Sequence, residues 1–333
     1  AFGTYVAFFP QLVAGPIERA SNLLPQLEAI KKFKYQQVVQ GMKLVLWGLF
    51  KKVAIADSLA IMVDDIFTNY EVYPSSTLVL GTVFFAFQIY GDFSGYSDIA
   101  IGTSKMLGIE LMSNFKFPYF SRSIAEFWRR WHISLSTWFR DYLYIPLGGS
   151  KGGVWMKIRN TFIIFLVSGF WHGANWTFIS WGALHALLFI PLLLLNKNRT
   201  NLNISAESQT LPSLKELLQI ITTFITVTIA WIFFRAENIM QAFDYIYIIG
   251  SSPISNIDYF TIDDLLFIFS LIGLLIWVEW LSRNEEHGLV LSNQLKIIPL
   301  RVKKIGRFVF YYFLVMIILY FSNNQQNFIY FQF

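Results

Sequence analysis

From Asn160 to Asn196 the chain carries no Asp, Glu, Lys or Arg. A helix needs about 20 mostly apolar residues to cross a bilayer, so this stretch is long enough for two helices or one bent span. Gly169, Gly173 and Gly182 are the candidate bend points. Composition agrees with a membrane environment. Mean hydropathy is +0.49, and charged residues make up only 14%, where a soluble domain carries about 25%. Aromatic residues reach 18%, as expected where aromatic belts mark the membrane–water boundary.

Further apolar runs lie at Leu217 to Phe234, Leu265 to Val278 and Phe308 to Phe321. Val38 to Ile66 has a helical pattern interrupted by lysines, which suits a partly interfacial helix. Leu78 to Tyr90 and Ile99 to Leu111 are short for spanning, and Gly91-Asp92-Phe93-Ser94-Gly95 joins them. That pair reads as a re-entrant or broken segment, tolerated where protein or water covers its backbone. In Ser123 to Tyr144, Phe127, Trp131, Leu135, Trp138 and Tyr142 recur at helical spacing, with Glu126, Arg129, Arg130 and Arg140 on other faces. This pattern predicts an amphipathic helix lying along the membrane surface. The expected fold class is therefore an all-α, polytopic membrane protein, with 1–333 forming one domain. Lys197 to Pro212 reads as a polar linker, and Asn203-Ile204-Ser205 is a weak match to a glycosylation acceptor.

Two basic groups set the orientation. Lys31, Lys32, Lys34, Lys43, Lys51 and Lys52 form one; Arg122, Arg129, Arg130, Arg140, Lys151, Lys157 and Arg159 form the other. The positive-inside rule puts both at the cytoplasmic face. Because they flank apolar spans, they argue against a nucleic-acid partner. The absence of cysteine excludes disulfide and thiolate chemistry.

His172 stands inside the uncharged stretch. An intramembrane ionisable group is a functional hypothesis by default, and a neutral imidazole can take a proton from a hydroxyl near neutral pH. The competing reading is a histidine that bonds a neighbouring helix. Asn175 is placed to orient the ring. His132 reads either as an assistant to His172 or as an interfacial histidine; His185 reads as a packing residue and His287 as a solvated one. Asp92 and Asp98 are candidate partners for Arg122, Arg129 or Arg130. Four histidines without metal-ligand spacing suggest no metal site. Ser94 lacks the nucleophile-elbow pattern, and Gly148-Gly149 with Gly152-Gly153 lack the ending of a phosphate loop.

Four motifs together resemble the membrane-bound O-acyltransferase family, and within it the alginate O-acetyltransferase branch. They are Val13-Ala14-Gly15-Pro16-Ile17-Glu18-Arg19, Tyr90 to Asp98, Glu126 to Ser136, and Gly169-Phe170-Trp171-His172-Gly173. The terminal Phe328-Ile329-Tyr330-Phe331-Gln332-Phe333 is similar to the end of that branch. The resemblance implies a ring of helices around a thinned centre, with catalytic His172 and a second functional histidine, His132. Asn175, Trp171, Arg129 and Asp92 are then the expected substrate-binding residues. It also implies acetyl-CoA or an acyl-carrier thioester as donor and no bound cofactor. A polysaccharide acceptor, an extracytoplasmic acetyltransferase partner and membrane lipid complete the expected surroundings, at the plasma membrane. Family members carry further helices before the Val13 region, so the chain is expected to be a fragment. Rival readings are D-alanyl transfer to teichoic acid from a carrier protein, a transporter in which His172 relays protons, and a structural membrane partner.

Overall fold

The computed structural model describes residues 2–207, 209–253, 259–290, 300–324 and 326–329. Its α-helices are α1 (Phe2–Ala7), α2 (Ala20–Glu28), α3 (Tyr35–Leu49), α4 (Asp57–Thr68), α5 (Ser75–Met106), α6 (Ile124–Arg130), α7 (Ile133–Phe139), α8 (Gly153–His172), α9 (Trp176–Leu194), α10 (Leu214–Arg235), α11 (Ile239–Ser251), α12 (Ile262–Leu281) and α13 (Leu300–Phe321). No strand occurs among the described residues. Within α5, α9, α10, α12 and α13 lie stretches long and apolar enough to cross a membrane.

The chain divides into two compact units, one of 1–60, 87–116 and 266–332, the other of 61–86 and 117–265. The expected re-entrant break is absent: α5, whose residues 75–86 belong to the second unit and 87–106 to the first, is one continuous helix of 32 residues. Its glycines serve close packing instead of a bend. A Cβ on Gly95 would stand 2.8 Å from the Gly48 carbonyl oxygen, and one on Gly48 would stand 2.5 Å from the Gly95 oxygen. The lysine-bearing stretch is also continuous, because a π-helical segment, Phe50–Ala56, joins α3 to α4. Lys51 and Lys52 lie on that segment and reach carboxylates instead of the interface. Lys51 Nζ is 2.8 Å from Asp98, and Lys52 Nζ is 2.7 Å from both Asp57 and Asp92. Asp92 and Asp98 therefore pair with lysines, not with the arginines expected from the sequence. The second Asp92 oxygen accepts from the Ile329 amide at 2.6 Å, while Phe328 packs on Tyr96. Residues 330–333 of the terminal motif lie outside the described residues. His287 is buried, not solvated: it is 5% exposed and meets Gln40.

In the second unit the expected surface helix is broken and turned inward. α6 stops at Arg130, His132 takes a left-handed φ of 43°, and α7 restarts at Ile133. Phe127, Trp131 and Leu135 are buried, and so are Glu126 and Arg130. Burying those charges requires pairing. Glu126 accepts from Arg122 at 3.1 Å and from Arg130 at 2.7 Å. The linker after Lys197 is folded back onto this cluster: Arg129 donates to the Asn198 and Asn201 carbonyls, and Arg122 to that of Asn203. The Asn203 side chain also accepts from Arg122, and Ser205 is fully buried, so the glycosylation reading falls.

Candidate active site

α8 and α9 form a tight hairpin. Gly169 and Gly182 act as contact points, with built Cβ atoms 2.3 Å from the Phe178 oxygen and 2.2 Å from the Phe165 oxygen. The bend itself falls at Gly173, where α8 ends. Asn175 caps α9: its Oδ1 accepts from the Thr177 amide at 3.1 Å, and its amide donates to the Glu237 carbonyl at 2.9 Å. Those bonds brace the turn that follows His172.

His172 is thereby the last residue of α8, partly buried and held among aromatic rings. Its ring centroid lies 5.0 Å from Trp171, 5.1 Å from Phe234 and 5.4 Å from Trp181, all edge-on. Such edge-to-face contacts set ring orientation without supplying a charge. Trp171 also meets His132 at 6.1 Å, which links the two histidines the sequence singled out. His132 is 5% exposed. Burial, reinforced by the His172 imidazole, pushes His132 well below the ordinary histidine range. Its left-handed backbone is uncommon outside glycine and is the kind of local strain that clusters at functional sites.

Both histidines open onto one cavity of about 530 Å³ within this unit. Trp128, Leu135, Phe165, Phe189, Leu193 and Leu202 give it apolar walls, while Arg129, Arg140, Arg199 and Ser150 add polar groups. Of the expected substrate-binding residues, Arg129 lines this cavity and Trp171 touches both histidines. Asp92 belongs to the other unit, where Lys52 and the Ile329 amide engage its carboxylate. His185 is fully buried and accepts from Trp128 Nε1 at 3.2 Å, which makes it the packing residue expected. Sequence reasoning missed Phe234, Trp181 and Arg199. Trp181 follows His172 closely in the chain, across the turn from α8 to α9, but nothing in the sequence brings Phe234 from α10. No group of three metal-ligating side chains occurs among the described residues.

An imidazole held by aromatic edges, beside an apolar cavity with three arginines, is arranged to move a proton next to a ligand with an anionic end. Comparison with known proteins shows the family. The pattern defining the membrane-bound O-acyltransferase family matches residues 1–230. The probable alginate O-acetylase AlgI of Pseudomonas aeruginosa is 43% identical over 241 residues, covering 72% of this chain and 44% of that protein. The peptidoglycan O-acetyltransferase of Helicobacter pylori is 39% identical over 244 residues, covering 72% and 45%. The teichoic acid D-alanyltransferase of Streptococcus thermophilus is 31% identical over 256 residues, covering 70% and 60%. The chain thus spans less than half the length of the first two relatives. It belongs to the membrane-bound O-acyltransferase family.

Proposed function

We propose that this chain carries the reacting centre of an O-acyltransferase of the plasma membrane that moves an acetyl group from a thioester to a hydroxyl of an exported polysaccharide. The observation that carries this reading is the shared opening of His132 and His172 onto one arginine-bearing cavity. His172 is the general base. It takes the acceptor hydroxyl proton as the oxygen attacks the thioester carbonyl; the C–S bond then breaks and the proton passes to the departing thiolate. Arg129, Arg140 and Arg199 would hold the phosphates of the donor, acetyl-CoA or a phosphopantetheine-bearing carrier protein. His132 and Trp171 position the reactants beside His172. The acceptor is reached directly or through an extracytoplasmic partner protein.

Relatives that act on alginate and peptidoglycan, at 43% and 39% identity, favour acetyl transfer over the D-alanyl reading, whose relative stands at 31%. Mass spectrometry of cell-envelope polysaccharides, from cells with and without the gene, tests the reading. Ester-linked acetyl groups should vanish without the gene. Loss of ester-linked D-alanine instead would favour the other donor, and unchanged polymers would refute both.

A further inference from the structure

A lysine cluster in the first unit, outside the acyl-transfer site, marks a second surface. α5 carries a membrane-length apolar stretch and ends at Met106 with Lys105 in its last turn, the charge expected where a span meets water. α3 packs closely on α5 there, since a Cβ on Gly41 would stand 2.5 Å from the Gly102 oxygen. The residues leading into α3 are held beside that end of α5. Residues 30–34 carry no helix, and Lys31 Nζ donates to the Gly108 carbonyl at 3.1 Å.

Two features of this segment point to an amphipathic ligand. Ile30 and Phe33 are 93% and 80% exposed, with Leu107 half-exposed nearby. Lys31, Lys32, Lys34 and Lys105 line one small cavity of about 100 Å³. A wider one of about 470 Å³ shares Lys34 and Lys105 with it. Lys105 is answered by Glu286 at 3.1 Å and Glu110 at 3.7 Å. Lys32 and Lys34 make no ion pair among the described residues. Positive charge beside apolar side chains, at the boundary where the positive-inside rule sets the cytoplasmic face, complements an anionic headgroup with its acyl chains. We propose that residues 30–34 and the end of α5 form a docking site for an anionic glycerophospholipid. Its phosphate lies among the lysines and its chains lie against Ile30, Phe33 and Leu107.

These 333 residues hold no cysteine, and Phe33→Cys in a cysteine-free background of the intact protein gives a single attachment point for a nitroxide label. The labelled intact protein is placed in nanodiscs of phosphatidylcholine, with or without added phosphatidylglycerol. Adding phosphatidylglycerol should lower the label's accessibility to an aqueous nickel chelate by about threefold and raise its accessibility to oxygen. Lys32→Gln or Lys34→Gln, each at an exposed residue with no ion pair, should raise the phosphatidylglycerol concentration needed by about fivefold. Three results would overturn the proposal: a label in water in both lipids, a label equally embedded in both, or reversal by inorganic phosphate alone. Shielding seen only in native membranes and lost on alkaline washing would assign the surface to a protein partner and overturn it as well.

Discussion

In the unit of residues 1–60, 87–116 and 266–332, Lys51 lies 2.8 Å from Asp98, and Lys52 lies 2.7 Å from two carboxylates. In the unit of 61–86 and 117–265, His172 instead meets the ring edges of Trp171, Trp181 and Phe234. The first arrangement neutralises permanent charges that an apolar setting would otherwise exclude, and it leaves them little freedom to react. The second orients a titratable ring by the edges of its aromatic neighbours, next to a cavity. The difference teaches where to seek chemistry in such a chain. Buried charge with a partner marks architecture, and a partly buried imidazole bordered by aromatic edges and a cavity is where the proposed acyl transfer is placed. The Arg122–Glu126–Arg130 cluster of the second unit follows the architectural rule: it fixes the linker that walls the cavity.

The largest effect should come from breaking the paired side of this contrast. Asp98→Ala strands Lys51, which is 3% exposed, and should cost about 3–5 kcal/mol, read as a fall in the thermal unfolding midpoint of the detergent-purified protein. The double change Lys51→Met with Asp98→Leu should recover most of that loss; failure to recover would give the pair a role beyond neutralisation. Next comes the aromatic side. Phe234→Leu removes one edge contact from His172 while keeping an apolar side chain, and should lower acyl transfer about tenfold with little change in unfolding midpoint. An equal loss of stability and activity would reduce the cage to ordinary packing.

The smallest effect concerns His287. Burial, with Lys105 and Lys43 nearby, pushes this histidine from 6.5 down to about 4. Between those values the unfolded chain binds more protons, so stability is full above pH 6.5 and declines as pH falls toward 4. His287→Asn should flatten that part of the unfolding-midpoint profile, and an unchanged slope would place its origin elsewhere.

The membrane class and most helices were legible because apolar length is a local property of the chain. A bend in the uncharged stretch was legible too, though only as one of three glycines, of which Gly173 makes it and Gly169 and Gly182 pack. What escaped depended on partners distant in sequence. Gly91 and Gly95 look like breakers when read alone, and only the approach of the Lys51 and Gly48 carbonyls shows them as packing sites. Helical periodicity over Ser123 to Tyr144 could not show that Glu126 would satisfy two arginines and draw that segment inward. His287 sits among charged residues in the sequence, yet Gln40, 247 positions away, meets its ring. For the site, His172, His132 and Arg129 were visible as residues, whereas Phe234 came into reach only through the packing of α10 on α9.

The central claim, that His172 is the base for acyl transfer, is tested most directly by His172→Ala in membranes containing the intact protein. Covalent transfer of labelled acetyl groups is followed at matched protein levels. A loss of roughly 10²–10⁴-fold is expected, the usual contribution of a positioned base. Transfer at the unsubstituted rate would contradict it.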